Sequence, residues 1–486
     1  MADPVLTLVD LSRIQDYVFA SNRLRDAVGG AAMVSQLMSP AQLQACGINV
    51  REVVIRHGGN LLFESPTIDE ARSRVTKWSM NLNAKAAPLR AAVAHQPIGS
   101  DWAVAHSALR ARVAELKRAG LAPTGFGGLA VTERCASTGM PATGLRRLGP
   151  NDPWVPVSSM LANRKSGTAA SDMARDGFEE PTELDELGRS FGEASLLGIV
   201  HVDLNQVGAT IAAIEGRQGL LAFSEAMERV VGRVRNDLLL RTADAVDVGA
   251  RGGPQVRLSS DTVVPLQRRG DDGNVVLPLR TVLVGGDDLT FVCDGRLALW
   301  MAELTLNSFR DHLSVDETLG GHPIGAAAGV AITRVHSPFV AGYRLAAQLC
   351  QLVKRKLALE SASHHFGLDW EYSPQGQGAG PREGGGRPYD VFAGAGRWAW
   401  LTREALSSKD GMLRSDLWQS RRSDRHLLLR SDEGGKDAVA AAVETVGETP
   451  PWLADGQQTV LDPLVIRDLA DLLDLWHEPA VVEDAP

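Results

Sequence analysis

An α+β fold is what this sequence predicts, and three observations carry it. Two short apolar runs, VLTLV at 5–9 and LLGIVHVD at 196–203, have strand character and are each followed or closed by an aspartate, Asp10 and Asp203. Each run is succeeded by segments of helical spacing. A strand–glycine pair–strand pattern then occurs twice, in VVIRHGGNLLFES at 53–65 and in TVLVGGDDLTFVCDG at 281–295. The chain therefore reads as two related units, each an antiparallel sheet with helices on one face, ferredoxin-like in outline.

The first unit is placed at 1–140. After the opening strand, IQDYVFASNRLRDAVGGAAMVSQLM has helical spacing at Ile14, Val18 and Leu24, and Gly29-Gly30 predicts a break before a second apolar helix. The first hairpin aligns His57-Gly58-Gly59-Asn60 with Val284-Gly285-Gly286-Asp287 of the second. Residues 68–95 and 104–119 are helical by composition. Residues 141–194 are polar and rich in Pro, Asn and charge, which predicts a linker or insert.

The second unit is placed at 195–372. It reads as strand, helix, helix, hairpin, helix, strand and helix, with 247–276 lacking clear periodicity. The helix FVAGYRLAAQLCQLVKRKLALE closes it. PQGQGAGPREGGGRP is a linker by composition, and 387–480 is expected to form a mainly helical C-terminal domain.

The chain has 486 residues, 44% hydrophobic and 22% charged, ordinary for a globular protein with sizeable cores. No apolar run is long enough to span a bilayer, and MADPVLTLVD lacks a basic leader, so no membrane association is expected. Four scattered cysteines without a CxxC pair suit a reducing cytoplasm. A net charge of −9 argues against unaided nucleic-acid binding; such contact would come through partners.

The chemistry concentrates in the second hairpin. Its flanks are apolar on both sides, which predicts a central position in the sheet. Asp287 and Asp288 repel each other unless positive charge lies between them. If the strand ending at Asp203 is a neighbour, three carboxylates converge. Oxygen ligands of this kind suit Mg²⁺ or Mn²⁺ rather than zinc. Two such ions about 3.5–4 Å apart are a standard device for nucleotidyl transfer. Gly285 and Gly286 would let the backbone approach phosphate oxygens, and Lys354 is the candidate partner for a triphosphate. Arg355 and Lys356 read as a solvated helix end.

Several ordered segments resemble the large polymerase/cyclase subunit of type III CRISPR effector complexes, whose two palm domains are related to GGDEF nucleotide cyclases. They are DLSRIQDYVFASNRLRDAVGGAAMV (10–34), RHGGNLLF (56–63), HVDLNQVG (201–208), LPLRTVLVGGDDLTFV (277–292), GAAAGVAITRVHSPFVAGYRLAAQLCQLVKRK (325–356) and RPYDVF (387–392). The resemblance implies that ATP is converted to cyclic oligoadenylates that signal in antiphage defence. It implies that Asp203, Asp287, Asp288 and the backbone of Leu204 hold the metal ions in the second palm. The first palm would be degenerate, because Asn60 removes the paired acids. Gly29 and Gly30 would border a nucleotide there, together with Gly285, Gly286 and Lys354 of the second palm. Implied partners are ATP, RNA-guided CRISPR effector subunits and, through them, target RNA; a homo-oligomer is also allowed.

Three departures from the family pattern shape further expectations. No His-Asp dipeptide occurs, so no HD-type nuclease is expected. RCASTGMPA (134–142) keeps Cys135 but has Thr138 where a second cysteine would stand, so no zinc is expected. The chain is short for the family, which leaves open a compact relative working alone or with few partners. Two other classes stay in view: a non-catalytic palm scaffold of a ribonucleoprotein, and a cyclic dinucleotide synthase of the GGDEF kind.

Overall fold

The computed structural model describes residues 3–86, 89–120, 131–147, 153–162, 175–187, 195–258, 263–270, 273–360, 365–373 and 387–392, with 397–399, 401–402, 468, 472, 475–476 and 479. The elements of the first unit are β1 (Val5–Ser12), α1 (Ile14–Val18), α2 (Leu24–Leu37), α3 (Pro40–Ala45), β2 (Val53–Ile55), β3 (Asn60–Ser65), α4 (Ile68–Ala86), β4 (Arg90–Pro97) and α5 (Trp102–Arg118). Between the units lie β5 (Gly144–Arg147), β6 (Trp154–Val157), α6 (Ser159–Ala162) and β7 (Phe178–Glu179). The second unit comprises β8 (Leu196–Leu204), α7 (Val207–Ala213), α8 (Arg217–Asp244), β9 (Val246–Asp247), β10 (Gln255–Arg257), β11 (Val263–Pro265), β12 (Val275–Val276), β13 (Leu279–Gly285), β14 (Asp288–Asp294), α9 (Ala298–Val315), β15 (Ala326–Arg334), α10 (Phe339–Glu360), β16 (Phe366–Ser373) and β17 (Tyr389–Asp390).

The α+β class and its antiparallel sheets are as the sequence predicts. The first sheet has the order β2-β3-β1-β4 and the second the order β13-β14-β8-β15-β16-β17. The first four positions of the second sheet repeat the first sheet strand for strand. β16 runs parallel to β15, so the larger sheet is mixed at that side.

Helices cover both faces of each sheet rather than one. In the first, Val9, Leu11, Leu61 and Phe63 pack with Leu24, Val75, Trp78 and Leu82 of α2 and α4. Leu6 and Leu8 point the other way, toward Leu109 and Val113 of α5. In the second, Val200, Val202 and Leu204 pack on α8 and α9. Leu197 and Ile199 join Phe339, Tyr343 and Ala346 of α10. Strand side chains alternate between faces, so the acids closing β1 and β8 face α5 and α10.

Several local expectations are corrected. The helix begun at 68 stops at Ala86, and 90–97 is a strand paired with β1. AAVAHQP resembled helix because alanine favours helices, but its pairing with β1 overrides that weak preference. Gly29 and Gly30 do not break the chain; α2 runs through them, and both are buried. Residues 247–276 contain β9, β10 and β11 in a small sheet, and β12 pairs with β7. The expected linker is anchored at Glu180, which is 3% exposed and accepts hydrogen bonds from the Thr281 N–H (2.7 Å) and Oγ1 (2.6 Å). Most of the expected C-terminal helical domain lies outside the described residues.

The two units pack reciprocally: α2 contacts β13, and α8 contacts β2. At their junction the glycine hairpins touch. A Cβ built on Gly286 would stand 2.7 Å from the Gly58 Cα, and both glycines have positive φ, 66° and 59°. Phe19 of the first unit stacks on Tyr343 of α10 at 3.6 Å between ring centroids.

Candidate active site

β8 is central in its sheet, with β14 on one side and β15 on the other. This register sets Asp203 directly opposite Asp288 and beside Ala327. The two-residue turn Gly286-Asp287 carries the second acid, and the Leu204 N–H donates to the Asp287 carbonyl at 3.0 Å. One carboxylate oxygen from each of Asp203, Asp287 and Asp288 lies within 4.8 Å of the others. Asp288 opens β14 just after the turn residue Asp287, and antiparallel pairing carries it to Asp203.

The cluster is short of positive charge. Burial pushes the Asp288 carboxyl well above the usual range, and the charges of Asp203 and Asp287 push it further. Lys354 and a hydrogen bond from Gln15 of α1 oppose this rise. Asp203 is also raised, chiefly by burial, with Lys354 acting against it. Two acids thus resist ionising together in one low-dielectric spot.

Lys354 is placed differently from the sequence expectation of a triphosphate ligand. Its ammonium is ion-paired with Asp203 and donates to the Leu204 carbonyl at 2.9 Å. The Leu204 carbonyl, an expected metal ligand, is therefore engaged by lysine. The physical reason is proximity: α10 lies on the face to which Asp203 points, and Lys354 on that helix reaches the acid-rich spot. Gly285 and Gly286 line a cavity of about 760 Å³ with Asp288, Gln15, Arg235 and Arg280. Val28 and Ala31 reach that cavity, while Gly29 and Gly30, expected to border a nucleotide, are not among its lining residues. A second cavity of about 400 Å³ lies on the other side of the hairpin contact and includes Asp287, Gly286, Asn60 and Lys117.

The first sheet carries a reduced copy of this site. Asp10 stands opposite Asn60, as Asp203 stands opposite Asp288. The Leu11 N–H donates to the Gly59 carbonyl, as Leu204 does to Asp287. Asn60 therefore matches Asp288 and Gly59 matches Asp287, one residue removed from the alignment read off the sequence. Lys117 on α5 bonds Asp10 at 2.8 Å, paralleling Lys354 and Asp203.

Sequence reasoning missed Gln15, Lys117, His201 and Cys350. Two of these had a signal. His201 shares the alternate-residue face of β8 with Asp203, and Cys350 lies one helical turn before Lys354. Burial holds the His201 imidazole down at about 4, helped by the Lys354 charge.

No protein-family model and no curated protein matches the sequence. Solved structures do. A chain in the crystal structure of a Csm1–Csm4 cassette in complex with one ATP superposes with a TM-score of 0.57 at 15% identity, over 97% of this chain and 70% of that one. The fold is that of Csm1. The cassette in complex with cA4 gives a TM-score of 0.52 at 14% identity, over 96% and 70% of the respective chains. Csm1 from T. onnurineus gives 0.54 at 14% identity, over 98% and 69%. The resemblance read from the six sequence segments thus holds at the level of the Csm1 fold. Among the described residues no helix is long and apolar enough to cross a membrane.

Proposed function

We propose that this chain is a relative of the type III CRISPR polymerase/cyclase subunit and that it converts ATP to cyclic oligoadenylates. The observation that carries the reading is the convergence of Asp203, Asp287 and Asp288, with oxygens within 4.8 Å, beside the contact of two glycine hairpins. The donor set fits a hard divalent cation: oxygen ligands alone, with two carboxyls raised chiefly by burial and further by the neighbouring acids. Asp203, Asp287 and Asp288 would hold Mg²⁺ or Mn²⁺, which when bound polarises phosphate and lowers the pKa of an attacking hydroxyl.

The chain's own residues do the positioning. Gly285 and Gly286 line the larger cavity and, lacking a Cβ, would let a triphosphate approach the backbone there. Gln15 holds the Asp288 carboxylate in orientation. Lys354 neutralises Asp203; with a cation held by the acids, its ammonium would be available to a phosphate. Cavities on both sides of the Gly58–Gly286 contact offer seats for two nucleotides facing one acid cluster. Csm1 crystallises in cassettes with Csm4 and with ATP, pppApA or cA4. By analogy, adenine is the base and CRISPR effector subunits are the partners.

One observation favours the scaffold reading: Lys354 already satisfies Asp203 and the Leu204 carbonyl. Incubation with ATP and Mn²⁺ or Mg²⁺, alone and with effector subunits and target RNA, followed by mass spectrometry, separates the readings. Cyclic oligoadenylate from wild type and none from Asp287→Ala/Asp288→Ala supports the enzyme. Product from GTP alone points to a dinucleotide synthase. Absence of product under all conditions, with no Mn²⁺ binding, leaves the scaffold.

A further inference from the structure

Below the acid cluster, a second and chemically different set of ligand atoms faces Asp203. His201 and Asp203 alternate on β8 and point to the α10 face, where Cys350 stands one turn before Lys354. One ligand atom each of His201, Asp203 and Cys350 lies within 4.8 Å of the others. His201 and Cys350 are 2% and 0% exposed, and Asp203 stands opposite Asp288, which lines the larger cavity. Thr290 Oγ1 bonds His201 Nδ1 at 2.9 Å, the kind of contact that fixes an imidazole for ligation through its other nitrogen. The Cys350 thiol donates to the Ala327 carbonyl at 3.2 Å, which holds the sulfur on this face of β15.

Imidazole, thiolate and carboxylate together select borderline-soft divalent ions over Mg²⁺. We propose that His201, Asp203 and Cys350 form a thiophilic cation site for Zn²⁺ or a similar ion, sharing Asp203 with the three-carboxylate cluster. Binding releases the Cys350 proton to solvent and breaks the Lys354–Asp203 ion pair. The resulting group of one dication, one thiolate and one carboxylate is neutral, which limits the cost of its burial. The site is separate from the Cys135 segment, for which no zinc was expected. A consequence, resting on the function proposed above, is inhibition: an ion held here withdraws Asp203 from the hard-cation cluster.

Co²⁺ titration of the full-length protein in excess Mg²⁺ tests the site without reference to activity. The expected result is one equivalent bound with a thiolate-to-cobalt charge-transfer band, displaced by Zn²⁺. Cys350→Ala and the closer mimic Cys350→Ser should lose the band and weaken binding by about tenfold or more. Asp287→Ala should keep the band. Absence of a band in wild type, or its survival in both Cys350 variants, overturns the site. Stoichiometric Zn²⁺ should suppress oligoadenylate synthesis by wild type and spare Cys350→Ser; equal synthesis with and without Zn²⁺ overturns the inhibitory role. A cobalt band in a protein that makes no product under any condition would support the site while overturning the proposed function.

Discussion

Asn60 stands in the first sheet where Asp288 stands in the second. Asp10 and Asp203 face them in the same register, each with a lysine from the covering helix. The duplicated geometry without the duplicated acids makes one palm a cation-site candidate and leaves the other with a single neutralised carboxylate. Asn60→Asp should therefore create no second cation site. The position matching Asp287 is Gly59, where a Cβ would meet Ile14 Cδ1 at 2.1 Å and φ is +78°. Calorimetry should give the same Mn²⁺ stoichiometry for Asn60→Asp as for wild type; additional equivalents bound would contradict the account.

Gly286 and Gly285 should separate packing from nucleotide approach. Gly286→Ala adds a methyl against the Gly58 backbone at a positive φ, and is expected to destabilise by about 1–3 kcal/mol in denaturant unfolding. Gly285 has nothing within 4 Å of a built Cβ. Gly285→Ala should leave stability near wild type, so weaker ATP binding in that variant would report close phosphate approach. Equal stability of the two variants would show that the hairpin contact is dispensable.

The raised carboxyls give the cation-free protein a defined pH response. A folded-state pKa above the unfolded value contributes stability that is present below the ordinary carboxylate range and lost as pH rises through the raised range. Stability without divalent ions should thus fall with rising pH in that window, and Mn²⁺ affinity should rise across it as protons are released. Asp288→Asn should flatten the stability profile, raise cation-free stability at neutral pH and lose the Mn²⁺ response. Thermal unfolding across pH, with and without Mn²⁺, checks the signs.

Lys354→Met removes the cation now held by Asp203 and the Leu204 carbonyl. The metal-free protein should lose about 1–3 kcal/mol. Mn²⁺ should bind more tightly than to wild type and restore the loss, since the ion no longer displaces an ammonium. ATP affinity should fall if the released lysine serves phosphate. Unchanged Mn²⁺ affinity would mean that lysine and ion do not compete.

Much of this site was legible in the sequence because its parts lie at strand ends. LLGIVHVD ends on its acid, and the glycine pair marks the turn that carries Asp287. What the sequence obscured depends on register and on which helix covers which face. Asn60 was aligned one residue off because glycine pairs look alike, whereas the ladder places it opposite Asp10. Lys354 was read as a phosphate ligand because its charge was visible and its neighbour Asp203, 151 positions earlier, was not. Gly29 and Gly30 read as a break, yet in a helix buried against a sheet small residues also allow close packing, and α2 continues through them.

The most direct measurement is calorimetric titration of Mn²⁺ into the full-length protein preloaded with ATP, comparing wild type with Asp203→Asn and Asp288→Asn. The account predicts saturable binding by wild type that tightens as pH rises, and loss of that binding in both variants. Equal Mn²⁺ binding by all three proteins would contradict the claim that these acids form a cation site.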